Sequence, residues 1–152
     1  MKIIAHRANI GGPNLNKENS INNILKCIDS NFDVEIDIRV IKKKIYLGHD
    51  KPEKCISINQ LLEIKKRTWI HCKNLEALSF FSKSYKDFNF FWHENDAYTL
   101  TSKGYIWAYP GSELSPSSIC VMPEIEIPIN NLIKLKELQI SGICTDYPDL
   151  IK

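Results

Sequence analysis

No stretch of the chain approaches the roughly 20 consecutive apolar residues of a membrane span, so a transmembrane protein is not expected. The first strand is expected at Lys2, which leaves no room for a secretory leader. No C-x-x-C pair occurs among the five cysteines, Cys27, Cys55, Cys72, Cys120 and Cys144. Their number is odd and their spacings suit no zinc site, so they read as reduced thiols, mostly buried, in a cytoplasmic protein. The phosphate-cradling loops G-x-x-x-x-G-K-[ST] and G-x-G-x-x-G are both missing, which argues against nucleotide-driven phosphate transfer. Charge of one sign is never massed: 20 basic and 18 acidic side chains give a net +2, so neither nucleic acid nor a membrane surface is expected as a partner. Without internal repeats, low-complexity tracts or linkers, residues 1–152 read as one domain.

What is present is an ordinary globular composition, 43% apolar and 25% charged, in 152 residues, enough to bury a core. Short strands alternate with short helices. Strands are expected at Lys2–Ala5, Asp33–Val40, Ile45–Leu47, Thr68–Cys72, Asn89–Trp92, Tyr105–Tyr109, Ile119–Met122 and Gly142–Thr145. Ser20 or Asn19 caps a helix with Ile21, Ile24, Leu25 and Ile28 on one face. Ser57-Ile58-Asn59-Gln60 is a capping box, Asn74 caps a third helix, and a fourth is expected over Asn130–Leu138. Strand–helix alternation predicts a parallel sheet with helices outside it. The strand count suggests a closed (β/α)8 barrel, but such barrels typically need about 250 residues. The expectation is therefore an abbreviated barrel, with outer helices missing between Asp96 and Pro128.

The polar residues gather where the strands stop. His6-Arg7 ends the first. Glu35 and Asp37, two apart in V-E-I-D-I-R, project to one side while Val34, Ile36 and Ile38 take the other. Two adjacent carboxylates repel unless a cation joins them. A hard divalent ion held by oxygen ligands is one answer, and a salt-bridge network with Arg7, Arg39 or Lys73 is another. His49-Asp50 lies in the loop L-G-H-D-K-P, His71 and Lys73 end the strand W-I-H-C-K-N, His93-Glu94 closes the next, and Glu124 follows Val121-Met122-Pro123. All four histidines fall at or just after strand ends, the rim on which parallel barrels build active sites. Two imidazoles, an acidic pair, an arginine and a lysine suit phosphoryl chemistry: cations neutralise phosphate oxygens while one imidazole takes a proton and another gives one.

I-A-H-R, K-E-N-S, D-V-E-I-D-I-R and Y-L-G-H-D, in that order, resemble the glycerophosphodiester phosphodiesterase family, and G-I-C-T-D-Y-P-D-L-I resembles its last barrel strand and closing turn. The likeness covers roughly the first half of the chain and a short tail. It implies a TIM-type barrel, with His6 and His49 as the acid–base pair and Arg7 and Lys73 on the phosphate. It makes Glu35 and Asp37 ligands of calcium or magnesium, and puts Glu18 close to the site. The family's third metal ligand is a glutamate, but here that position is His71, a softer neutral ligand that also admits manganese or zinc. Glu124 or Glu94 could supply the missing carboxylate from another strand. Ala8 replaces the glycine of the family's H-R-G.

The resemblance further implies hydrolysis of a small glycerol- or sugar-phosphodiester, by way of a cyclic phosphate formed by a neighbouring hydroxyl. Asp50, His93, Glu94 and Trp107 are expected around the pocket, with Trp107, Tyr109 and Trp92 as candidates for its leaving-group side; the alternative for each aromatic is barrel core, which is the favoured reading for Trp92. Membrane phospholipid is not the expected substrate, because no lipid anchor or apolar lid is visible. A related lyase, or a barrel that binds a phosphorylated ligand without turnover, are the alternatives. A homodimer would hide the flank left bare where helices are missing.

Overall fold

The structure, a computed structural model, describes all residues 1–152. Ten strands form one sheet: β1 (Lys2–Ala5), β2 (Asp33–Ile41), β3 (Lys44–Leu47), β4 (Lys54–Ile56), β5 (Thr68–Cys72), β6 (Asn89–Phe91), β7 (Tyr98–Leu100), β8 (Ile106–Ala108), β9 (Ser118–Val121) and β10 (Gly142–Thr145). The main path runs β8-β9-β10-β1-β2-β5-β6, every pair parallel, so all seven strands end at one rim. β3 and β4 fold back from β2 as an antiparallel arm, turned at Lys42 and Lys43, both with positive φ.

The helices form where the sequence caps them. The Ser20 side chain accepts from Asn23 N–H at the start of α1 (Ile21–Asp29). Ser57 and Gln60 make both bonds of the capping box of α2 (Ile58–Ile64). Asn74 caps α3 (Leu75–Ser84) through Ala77 N–H and also pairs with both backbone groups of Val40, tying the helix to β2. Each of the first two caps is worth about 1 kcal/mol. No α-helix lies between Asp96 and Pro128, and the helix expected at Asn130–Leu138 is a 3-10 segment, Ile129–Glu137. It follows Pro128, has no side-chain cap, and carries the poor helix formers Asn130 and Asn131.

The expected closed barrel is corrected by the hydrogen-bond ladder, which does not close. Only Trp92–Ala97 separates β6 from β7, too short for the dozen or so residues of a parallel crossover. The chain therefore turns straight back, and β7 pairs antiparallel with β8. β6 meets the far side of the sheet through Ser102, whose N–H donates to Phe90 O at 2.8 Å, and through Phe91, whose ring centroid lies 4.5 Å from that of Trp107 on β8. Strands at opposite ends of the path thus touch, so the sheet curls around Ile4, Trp69, Phe91, Trp107, Ile119, Val121 and Cys144. Outside the curl, 18 buried residues between Ala5 and Phe88, including Val34, Ile36, Ile38, Phe81 and Phe88, pack the helices against β2 and β5. No helix is long and apolar enough to cross a membrane.

Candidate active site

The inward side chain two residues beyond each apolar plug residue is the one that reaches the rim. Ile4 is followed by His6, Trp69 by His71, Phe91 by His93, Trp107 by Tyr109 and Cys144 by Asp146. β2 alone departs, placing Glu35 beside Trp69 and Asp37 beside His71 in the ladder, both carboxylates buried. A cavity of about 360 Å³ opens over this layer, lined by His6, Arg7, Glu35, His49, His71 and Lys73 on one side.

Glu35, Asp37 and His71 present ligand atoms all within 4.8 Å of one another. His71 Nε2–H donates to His93 O at 2.9 Å, which turns Nδ1 toward the acids, 3.2 Å from Asp37 Oδ1 and 3.8 Å from Glu35 Oε1. Asp37 Oδ1 is buried with no hydrogen-bond partner. Lone pairs converging on an orphaned buried oxygen fit a divalent cation. Burial and the charge of Asp37 push Glu35 above the ordinary carboxylate range, against the pull of His6, His71 and Arg7 N–H. Burial acts the same way on Asp37, but His71, Arg7 and His49 outweigh it and hold its carboxyl well below that range.

Arg7 stands on strained backbone at φ 48, followed by Ala8 at φ 63, in the left-handed region that glycine enters freely. The Arg7 N–H donates to Glu35 Oε2 at 2.9 Å, and its guanidinium lies between Glu18 (3.4 Å) and Asp37 (3.5 Å). Glu18 thus orients the arginine rather than lining the cavity. Asn19, at φ 49, grips Asp37 twice: its Nδ2 donates to Oδ2 and its Oδ1 accepts from Asp37 N–H, both at 2.9 Å.

The two candidate acid–base imidazoles sit in opposite environments. His6 Nδ1–H donates to Asp146 Oδ1 at 2.9 Å. Burial would lower this imidazole, but the Asp146 bond and the charges of Glu35 and Asp146 outweigh it and raise it above its ordinary value. His49 Nδ1–H donates to Asp50 at 2.7 Å, and Lys73 Nζ approaches His49 Nε2 at 3.3 Å. Burial, Arg7 and Lys73 lower His49 despite Asp37 and Asp50. Asp50 itself is 92% exposed and outside the cavity. The loop holding His49 turns at Gly48, φ 143, where a Cβ would fall 2.2 Å from Lys51 O.

Of the four expected metal ligands, Glu124 is the one not brought to the cluster. Its oxygens accept from the Thr145 hydroxyl at 2.9 Å and from Asp146 N–H at 2.7 Å, so it fixes the end of β10 instead. Asp146 and Asn9 were not anticipated from the sequence, and Asn19, expected as a possible helix cap, leaves that role to Ser20 and holds Asp37 instead. Asn9 Nδ2 donates to both Asp146 Oδ1 (2.8 Å) and Glu18 Oε1 (3.0 Å), linking the two sides of the site. The position of Asp146, directly after a strand and two beyond the plug residue Cys144, was the available sign. His93 and Glu94 line the cavity, His93 Nε2–H donates to Asp96 O, and its ring stacks on Tyr109 at 5.0 Å. Trp107 serves both the plug and the cavity, whereas Trp92 packs outside it against the larger core.

No family model matches the chain. No curated protein matches it by sequence. A crystal structure from Galdieria sulphuraria, provisionally named as a glycerophosphodiester phosphodiesterase, is similar over 99% of this chain and 95% of that one, with 16% identity and a TM-score of 0.60. At that identity the likeness concerns the fold: this mixed α/β chain, with its curled sheet and polar rim, has the fold of that protein.

Proposed function

We propose that the protein is a phosphodiesterase of the glycerophosphodiester phosphodiesterase type, its sheet serving as an abbreviated, seam-joined TIM barrel. The observation that carries the reading is the convergence of His6, Arg7, Glu35, His49, His71 and Lys73 on one cavity. Glu35, Asp37 and His71 would hold a divalent ion, magnesium or calcium by the carboxylates, manganese or zinc by the imidazole. Bound there, it would supply Lewis-acid neutralisation of the phosphate's non-bridging oxygens.

Arg7 and Lys73 bind those oxygens, Arg7 with donors that Glu18 and Asp37 do not saturate. Environments that push two titratable groups apart assign their roles. His49, lowered and neutral, takes the proton of a hydroxyl neighbouring the phosphate once Lys73 turns from Nε2 to the substrate. That oxygen attacks phosphorus. His6, raised and held protonated by Asp146, gives its proton to the departing alcohol. In the second half His6 takes a proton from water, which opens the cyclic phosphate, and His49 returns its proton to the released hydroxyl. Binding alone would need no such pair.

The test is a panel of phosphodiesters assayed with magnesium, calcium, manganese and chelator, on wild type, His6→Ala and Glu35→Ala, with phosphorus NMR of the products. Turnover lost in both variants, and a monoester as end product, is the expected result. A cyclic phosphate as end product would make the enzyme a lyase. Unchanged turnover in His6→Ala would remove that residue from the chemistry, and binding without turnover of any diester would favour the ligand-binding alternative.

A further inference from the structure

The cavity has two unlike halves. β1, β2, β5 and β6, with the His49 loop, bring imidazoles, carboxylates, Arg7 and Lys73 to it. β8, β9 and the segments after them bring Trp107, Tyr109, Pro110, Val121, Met122 and Ile125. Of these side chains only Trp107, through its indole N–H, and Tyr109, through its hydroxyl, offer a conventional hydrogen bond. Two of these apolar side chains stand open to solvent at the mouth, Ile125 at 61% and Tyr109 at 46% exposure.

The apolar arc is also held in place. Met122 takes a left-handed conformation at φ 48, and Ile125 N–H donates back to Met122 O at 3.0 Å. Glu124, between them, is clamped by Thr145 and Asp146 N–H. The Tyr109 ring is stacked on His93. A polyol arm laid against this wall would lose water and find almost no partners in exchange, whereas a hydrocarbon arm would gain by the area it covers. The wall is continuous with the phosphate-binding half, so one ester arm of a phosphate held there can reach it.

We propose that the leaving-group arm of the substrate is an alkyl chain, so that the enzyme acts on amphiphilic phosphodiesters rather than on diesters of two small polar alcohols. The inference rests on the phosphodiesterase reading for its phosphate anchor. It departs from the expectation of a small polar diester, because Pro110, Val121, Met122 and Ile125 join the expected Trp107 and Tyr109 on that side.

The test is binding of monoalkyl phosphates of two, four, six and eight carbons, by calorimetry below their micelle thresholds, to wild type, Ile125→Asn and Lys73→Ala. Each methylene that reaches the wall contributes up to about fourfold in affinity. Kd should therefore fall steeply with chain length and then level off. Ile125→Asn, at an exposed position where folding is checked by circular dichroism, should flatten that slope and leave the two-carbon ligand unchanged. Lys73→Ala should weaken every member of the series equally. A Kd that does not vary with chain length, or a slope undiminished in Ile125→Asn, overturns the proposal. Flat affinities with turnover of short diesters would remove the alkyl arm alone. Absence of both binding and turnover would remove the phosphodiesterase reading and this inference together.

Discussion

Replacing Asp146 tests whether His6 is the acid. Its Oδ1 accepts from two donors, His6 Nδ1–H at 2.9 Å and Asn9 Nδ2 at 2.8 Å, and the side chain is buried. In Asp146→Asn the charge is lost but an oxygen can remain. Asn9 donates to that position, so it favours the amide orientation that keeps oxygen toward both donors. The Nδ1–H tautomer of His6 then survives and only charge assistance is lost. A hydrogen bond to a charged group contributes about 1.5–3 kcal/mol against about 1 for a neutral one. The difference, about 0.5–2 kcal/mol, corresponds to roughly a 2- to 30-fold loss in kcat/KM. If the amide turned its NH2 to His6 instead, the wrong tautomer would cost far more, up to about 10⁴ as in a serine-protease triad. Asp146→Ala leaves both donors unpaired and should fall between, at about 10²-fold.

The pH profile carries the sign. In the proposed mechanism activity needs His6 protonated, so it should decline as pH rises through the His6 value. Asp146 is one of the groups that raise this value, and removing its charge lowers it. The alkaline limb of kcat/KM should therefore move to lower pH in both variants, with a matching shift of the His6 ring proton by NMR. An alkaline limb that stays in place, or an Asp146→Ala enzyme within twofold of wild type, would refute the dyad.

Glu35→Gln removes one of two repelling buried carboxylates while keeping an acceptor for Arg7 N–H. It should abolish turnover yet raise the metal-free melting temperature, by about 2–4 °C for a gain of about 1 kcal/mol, read by calorimetry with chelator. Gly48→Ala forces a Cβ against Lys51 O, so the His49 loop must shift. Turnover should fall by about 10²-fold, with circular dichroism unchanged, since a misplacement of about 1 Å is enough for that loss. Asn19→Ala deletes both bonds to Asp37 and should cost about 2–4 kcal/mol in denaturant unfolding. Cys27, Cys72 and Cys144 are buried, and Cys55 alone is exposed, so a thiol reagent should label Cys55 first in the native protein and all five cysteines only after unfolding.

The sequence reading located the strands well because their apolar cores are bounded by Gly, Pro and charged pairs. β10 was expected at Gly142–Thr145 and lies there, and Glu35 and Asp37 share a face as their spacing required. Local rules also found the caps at Ser57 and Asn74, since a cap's partners lie within three residues. Partners distant in sequence were hidden. Nothing local shows that Asp146 meets His6, 140 residues away, or that Glu124 spends its oxygens on Thr145 and Asp146. β4 and β7 were missed because three residues each, Lys54–Ile56 and Tyr98–Leu100, carry too little apolar pattern to mark a strand. The open seam was missed because closure depends on whether Trp92–Ala97 can carry a crossover, which strand counting ignores.

The division of the interior has a consequence for how the protein comes into being. The larger core is complete within residues 5–88, and that stretch also carries Arg7, Glu35, Asp37, His49, His71 and Lys73. A chain emerging from the ribosome can therefore condense its first half, with cation and phosphate ligands in place, before the rest is made. Asp146 joins that stretch only when β10 pairs with β1. During synthesis the cluster in the first half would therefore be in place before the residue that pairs with His6 joins it.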